Sequence, residues 1–448
     1  MSAPRGQFSS KFGFVMAASG SAVGLGNIWG FPTQTASNGG AAFVAVYLIL
    51  AFLLAYPALM AELVIGRHAR ANIVNALSNL DERPAVRTAG AAVGYYGVIV
   101  ASLILSFYTI IAGWMLAYFA EPITSTLGLS AATEWLVNDS LSRNLITGGI
   151  FASLTLWIIG TGIENGIERW SRRLMPSLLT LFLLLIGYVL FQPSAMAGLK
   201  IYLIPDFSKV FHPELILSAM GQAFFSLSLG VGTMLIYGSY IPRSENLPAL
   251  GALVTLVDIG VAFLAGLLIL PAIFVAQSYG VEIYQAGQFI GGPDLIFQVL
   301  PGLFDSMGSA GHVFAVMFFL LMTIAALTSS ISMLEVPTTW LMESTPLTRT
   351  VSTAISAGLI FLLTSCIVIW FKPLFGWVVT GATEYSEPFM GIVLCLFAGW
   401  GIHRNKLLAE LASGYPEIAQ SIFWRIWPVY VRLVCPLLIA AVFLNSLV

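Results

Sequence analysis

The stretch Ala18-Ser19-Gly20-Ser21-Ala22-Val23-Gly24-Leu25-Gly26-Asn27-Ile28-Trp29-Gly30 (ASGSAVGLGNIWG) puts three glycines and an asparagine at the middle of a segment that otherwise reads as a membrane helix. The chain around it has 448 residues, 58% hydrophobic and only 9% charged. Its mean hydropathy is +0.90. About a quarter of an ordinary soluble chain is charged, so this composition describes a polytopic membrane protein. Lipid offers no hydrogen bonds, and each backbone group left unsatisfied at membrane depth costs several kcal/mol. An unwound turn there must therefore line a protein cavity.

Apolar runs long enough to cross a hydrocarbon core of roughly 30 Å recur along the whole chain. They predict eleven spans, at 12–37, 41–66, 90–120, 145–162, 170–191, 213–240, 248–277, 311–342, 350–371, 374–402 and 427–447. Of the 19 lysines and arginines, only Arg143, Lys200, Lys209 and Lys372 fall on the side opposite the N-terminus. Because basic residues collect in cytoplasmic loops, the N-terminus is expected inside and the C-terminus outside. The polar start, Met1 to Lys11, leads into a helix without a small-residue cleavage site, so no removable signal peptide is expected. Cys366, Cys395 and Cys435 match neither a disulfide framework nor a metal spacing and read as packing residues.

The sixth span has a similar interruption, FFSLSLGVGT at Phe224 to Thr233. If spans one to five and six to ten are repeats, an odd number of spans gives them opposite topology, and the two interruptions occupy matched positions. That pattern points to a binding site at the interface of inverted repeats. Helix packing is the plainer explanation for one such segment, since Gly20 and Gly24 form a GxxxG motif. Two matched interruptions rich in Ser, Asn and Thr favour a cavity. A dinucleotide loop would need a preceding strand, and none is predicted.

The motifs AVGLGNIW with NGGAAF, GQAFFSLSLGVG and ALTSSIS resemble those of the neurotransmitter:sodium symporter family, particularly its bacterial amino-acid transporters. The resemblance extends over spans one to ten. It implies an all-α membrane protein of LeuT-like fold, a 5+5 inverted repeat with eleven transmembrane helices. Residues 1–11 would be a cytoplasmic segment, 12–191 and 213–402 the two five-helix repeats, and 427–447 the eleventh helix.

The same resemblance implies ligand sets. Ala22, Asn27, Ser226 and Asp258 would hold one sodium ion, completed by the substrate carboxylate. Gly20, Val23, Ala325, Thr328 and Ser329 would hold a second. Taken alone, Thr328 and Ser329 read more readily as bonding back to their own helix; the resemblance reverses that. Asp258 is informative without any family, because a charge at the bilayer centre costs at least about 2.5–3.5 kcal/mol and calls for a cation or a proton. Chloride-dependent members carry Asn at this position and a hydroxyl four residues later; here Asp258 and Ala262 imply that chloride is not required.

For the substrate, the resemblance implies the Leu25 and Gly26 amides and the Tyr108 hydroxyl around a carboxylate. The Ala22, Phe225 and Ser226 carbonyls and the Ser228 hydroxyl would take an ammonium, with Ser21 beside them. The side-chain walls would be Ile104, Phe225, Val231, Ser329 and Met333, mostly apolar and without an ionisable group. A cytoplasmic gate would pair Arg5 with Glu343, roofed by Phe8 and supported by Tyr240. The usual outer-gate Arg and Asp are both missing: Gly30 stands at the first position, and no acid at the second. Outer closure is expected to rely on Tyr108, Phe225 and apolar surfaces, with Gln34 reaching across. Glu62, Glu335, Glu384 and Glu387 have no assigned role, although Glu62 is expected to brace the first or sixth span.

These readings converge on a sodium-coupled symporter that imports a neutral, hydrophobic or aromatic L-amino acid by alternating access across a bacterial inner membrane. The expected partners are the small-molecule substrate, sodium and lipid, not nucleic acid. A carrier of an organic amine or non-standard amino acid is the alternative, and a substrate sensor or channel on the same fold is the competitor from another class. The four histidines are scattered and form no catalytic arrangement, so no enzyme is expected.

Overall fold

The computed structural model describes residues 6–285 and 288–447. Eight of its helices are individually long and apolar enough to cross a membrane: Ala41–Ala69, Pro84–Thr126, Leu141–Gly160, Ile163–Leu190, Leu247–Ser278, Ser309–Ser344, Arg349–Ile369 and Ile422–Asn445. They are spans two to five, seven to nine and eleven of the sequence reading. The first span is two helices, Lys11–Ala22 and Gly26–Ser37, bent by 60° at the glycine-rich stretch. The tenth, Phe371–Gly401, ends in a 98° bend to the polar helix Arg404–Ala412. The sixth consists of Pro213–Ser226 and Thr233–Gly238, each too short to cross alone. Between them Ser228, Gly230 and Gly232 have φ of 50°, 82° and 84°, which ends helical hydrogen bonding outright. A β-carbon strains such a backbone, and Ser228 is the residue of the three that bears one.

The longest two helices, spans three and eight, pack on each other more extensively than any other pair and form a scaffold beside the broken ones. The second half of span six is fixed differently, against span two through glycines. A Cβ on Gly66 would collide with the Leu235 carbonyl, and one on Gly238 would sit 2.6 Å from the Leu63 oxygen. Span two also reaches the break, where Glu62 Oε1 accepts the Gly230 N–H at 2.7 Å. Thus the expected bracing by Glu62 has a definite partner in the sixth span.

Polar clusters tie together the face that carries the start of span one. Lys11 Nζ lies 3.4 Å from Glu245, which follows span six. Arg67, at the end of span two and fully buried, donates through Nε to Glu410 Oε1 at 2.8 Å and through Nη1 to the Glu245 carbonyl at 2.7 Å. Ser9 and Ser10 donate their hydroxyls to Glu168 Oε1 at 2.7 and 2.8 Å. Glu335, an intramembrane acid without an assigned role in the sequence reading, is paired bidentately by Arg349 at 3.0 and 2.6 Å.

Glu410 lies past the 98° bend, outside the spans. Burial pushes its carboxyl up, but the His68 hydrogen bond and the charges of Arg67 and Arg243 outweigh this and hold it below the ordinary carboxylate value. A depressed pKa contributes stability above the ordinary value, about 4.3, that is lost as pH falls through the depressed one. Replacing Glu410 with Gln also strands the buried Arg67 charge, so Glu410→Gln should cost about 3 kcal/mol at pH 7. The difference in melting temperature from wild type should shrink below about pH 4. Gly66→Ala should also lower the melting temperature, by an overpacking cost of about 1–3 kcal/mol or more. Melting of the two purified variants across pH measures both.

Candidate functional site

The two breaks face each other. Ser228 Oγ, in the sixth span, donates to the Ser21 carbonyl at 3.2 Å. Gln222 Nε2, one turn before that break, donates to the Gly26 carbonyl at 3.0 Å. Within the first break, the Gly24 N–H is taken by Asn27 Oδ1 at 3.1 Å. Backbone groups released by unwinding are thus satisfied by side chains of the opposite or the same break, as lipid-depth backbone requires.

Between and above the breaks lies a cavity of about 260 Å³. Eleven of the twelve residues expected to contact substrate line it: Ala22, Leu25, Gly26, Ile104, Tyr108, Phe225, Ser226, Ser228, Val231, Ser329 and Met333. Ser21 does not; its Oγ donates to Ser332 Oγ at 2.7 Å, so only its backbone faces the break. Tyr108 Oη is buried and makes no hydrogen bond of good geometry, with the Ser329 hydroxyl and the Leu25 backbone as polar neighbours. It points toward Gly24, where a Cβ would lie 3.1 Å from Tyr108 Oη and 3.0 Å from Ser329 Oγ. A buried hydroxyl without a partner is costly unless a ligand completes it.

Asn27, Ser226 and Asp258 come together at the first break. Asn27 Nδ2 lies 2.8 Å from Ser226 Oγ and 2.7 Å from Asp258 Oδ1, and Ser226 Oγ donates to Asp258 Oδ2 at 2.8 Å. Asp258 is 1% exposed, and its hydrogen bonds come from neutral groups. Tyr47 Oη approaches Ser226 Oγ at 3.2 Å. The sequence reading missed this residue, since a tyrosine in the apolar run AAFVAVYLIL looks like packing.

In the other set, Ser329 Oγ lies 3.4, 3.4 and 3.2 Å from the carbonyls of Gly20, Ser21 and Val23. Thr328 Oγ1 instead bonds back to the Ile324 and Ala325 carbonyls at 3.2 and 3.0 Å. Its side chain still abuts the first span, 3.0 Å from where a Gly20 Cβ would stand. These donors are carbonyl and hydroxyl oxygens with one carboxylate, a set that suits a hard cation of low charge.

The expectation that the walls carry no ionisable group needs correction. Glu387 lines the cavity, below Phe375, Val379 and Thr383 of the same span. The spacing 375–379–383–387 is a one-face helical stripe that the sequence displays without saying which way it faces. Glu384, three residues earlier, is exposed instead. Trp29, Phe107 and Ile111 extend the lining, the last two on the same face of span three as Ile104 and Tyr108.

At the expected gate, Arg5 lies outside the described residues. Phe8 and Tyr240 do meet: the Phe8 N–H donates to the Tyr240 carbonyl at 3.1 Å, and the rings are 6.2 Å apart. The Tyr240 hydroxyl donates to Glu335 at 2.6 Å. Glu343 Oε2 accepts from the Asn72 N–H and Nδ2, both at 2.8 Å. Tyr240 and Glu343 line a second, polar cavity on this face. On the opposite side Gln34 Oε1 accepts from Ser218 of span six at 2.9 Å, while Gly30 faces Gln222.

The family model for the sodium:neurotransmitter symporter family matches residues 5–149 and 146–448. A sodium-dependent transporter of Bacillus subtilis (strain 168), YhdH, is 37% identical over 98% of this chain and 97% of its own. A sodium-dependent transporter of Haemophilus influenzae is 32% identical over 99% of this chain and 98% of its own. The crystal structure of MhsT in complex with L-phenylalanine superposes with a TM-score of 0.82, at 34% identity, covering 99% of this chain and 100% of that one. Fold, family model and relatives agree: the chain belongs to the sodium:neurotransmitter symporter family and is a multi-pass, sodium-dependent transporter of LeuT-like fold, not an enzyme.

Proposed function

We propose that this transporter is a symporter that moves a neutral, hydrophobic or aromatic L-amino acid together with two sodium ions by alternating access. Asp258 carries the reading. A carboxylate this deeply buried, surrounded by the neutral donors of Asn27 and Ser226, needs a cation to offset its desolvation. The nearby pocket supplies the rest of a zwitterion's needs. The Leu25 and Gly26 amides open a half-helix whose positive dipole end suits a carboxylate, with the buried Tyr108 hydroxyl beside them. The Ala22, Phe225 and Ser226 carbonyls and the Ser228 hydroxyl take the ammonium.

One sodium sits with Ala22, Asn27, Ser226, Asp258 and the substrate carboxylate, so that ion and substrate each raise the other's affinity. The second sits with Gly20, Val23, Ala325, Thr328 and Ser329. Thr328 Oγ1, now bonded to its own helix, turns toward the Gly20 backbone to join it. The phenylalanine complex of MhsT supports an amino acid as cargo. Ala262, which offers no hydroxyl near Asp258, supports transport without chloride.

Two charges moving through 100 mV release roughly 4.6 kcal/mol. Tenfold gradients acting on two ions add about 2.8 kcal/mol, and together these sustain an accumulation of about 10⁵-fold. The basic residues clustered with Lys11, Arg67, Arg243 and Arg349 favour placing that face, with the N-terminus, inside the bacterial plasma membrane. Phe8, Tyr240 and Glu343, with Arg5, would close the inner route. Tyr108, Phe225 and the apolar vestibule would close the outer one.

Reconstituted protein should accumulate a labelled apolar amino acid only with an inward sodium gradient. Uptake should vanish when potassium replaces sodium and persist when gluconate replaces chloride. Sodium-driven uptake that collapses without chloride overturns the assignment of charge balance to Asp258. Asp258→Asn should raise the sodium concentration for half-maximal thermal stabilisation by about tenfold or more, whereas an unchanged midpoint removes Asp258 from the ion site.

A further inference from the structure

We propose that Glu387 selects the cargo's side chain: the preferred amino acid carries an N–H or O–H donor at the far end of an otherwise apolar side chain. This rests on the amino-acid reading above and names a narrower class within it. Glu387 lines the substrate cavity yet is only 4% exposed, and its Oε2 has no hydrogen-bond partner. No ion pair involves it among the described residues; the carboxyl of Glu62 is an electrostatic neighbour, but it too has an oxygen, Oε2, without a hydrogen-bond partner and brings no basic group. The neighbouring hydroxyls of span ten are already committed: Thr383 Oγ1, in the wall, donates to the Val379 carbonyl at 2.9 Å, and Ser386 Oγ, next to Glu387 in sequence, donates to the Gly381 carbonyl at 2.6 Å while accepting from Tyr96 Oη at 2.8 Å.

The position of Glu387 is tightly held. Its carbonyl packs on Gly230, leaving no room there for a Cβ, and the Gly230 N–H is held by Glu62. Glu387 therefore moves with the break that also carries Val231 and the substrate-facing carbonyls, and it cannot withdraw without disturbing that break. A carboxyl oxygen accepts a hydrogen bond whether or not the group is protonated. A cargo ending in pure hydrocarbon would leave this one unsatisfied in a dry pocket; a cargo ending in a donor satisfies it. Sites built in this way reject analogues that lack the donor, because their buried polar group is left unpaired.

Two near-isosteric pairs test this on the purified protein in saturating sodium: L-tyrosine against L-phenylalanine, and L-tryptophan against 3-(2-naphthyl)-L-alanine, with affinities from calorimetric titration. In at least one pair the donor-bearing member should bind about ten- to a hundredfold tighter, and Glu387→Met should bring that ratio to about one. Glu387→Gln, which keeps the shape in case the methionine variant does not fold, should reduce the ratio several-fold. Ratios near one in both pairs on the unaltered protein, or a ratio unmoved in the variants, overturn the inference while leaving the amino-acid reading intact. Failure of all four to bind overturns this inference, and failure of L-leucine and L-methionine as well overturns the amino-acid reading.

Discussion

Everything in this structure depends on the requirement that backbone polar groups at membrane depth find partners within the protein. Two helices are interrupted in the middle of the membrane, and every nearby contact answers that interruption. Glu62 takes the Gly230 N–H, Gln222 holds the Gly26 carbonyl, Asn27 turns back to the Gly24 N–H, and Ser228 reaches the Ser21 carbonyl. Two of these contacts cross between the breaks, one lies within the first break and one comes from span two. These contacts tie the two interrupted segments to each other and to span two, while spans three and eight stand beside them as uninterrupted scaffold.

The buried charges are distributed by the same logic. Arg67 with Glu410 and Arg349 with Glu335 are bidentate or multiply hydrogen-bonded pairs that close the N-terminal face. A buried ion pair is a weak source of stability but costly to break, so these contacts hold register and do not drive folding. Asp258, Glu62 and Glu387 differ in having no basic partner among the described residues. They lie at or beside the breaks and the cavity, where Glu62 takes the Gly230 N–H and Asp258 is held by Asn27 and Ser226, which sets them apart from the paired charges of the N-terminal face.

Much of this could be read directly. Gly20, Gly24 and Gly26 with Asn27, against a uniformly apolar background, point to an unwound turn once a second interruption of the same kind is found. Gly230 and Gly232 repeat the signal at the matching place. The stripe Phe375, Val379, Thr383 and Glu387 was equally readable by its spacing of four, although a stripe does not say which way it faces. Tyr47 and the pairing of Glu335 with Arg349 gave no such signal. The first looks like any aromatic in an apolar run, and the second joins neighbouring spans whose rotation the sequence leaves open.

Sequence by itself determined what is local and chemical: the number of spans, the helices that must break, the oxygen-rich segments, and an intramembrane acid, Asp258, that calls for a cation or a proton. These follow from periodicity and from the cost of burying polar groups, which depend on the residues and not on their neighbours in space. Only the tertiary structure decided which faces meet. It set Thr328 back on its own helix while Ser329 crossed to the first span, turned Ser21 toward Ser332, gave Tyr240 to Glu335, and brought Glu387 to the cavity wall. Those outcomes depend on the rotation and crossing of helices some hundreds of residues apart, where small changes in packing reassign a side chain's partner without altering its hydrophobic pattern.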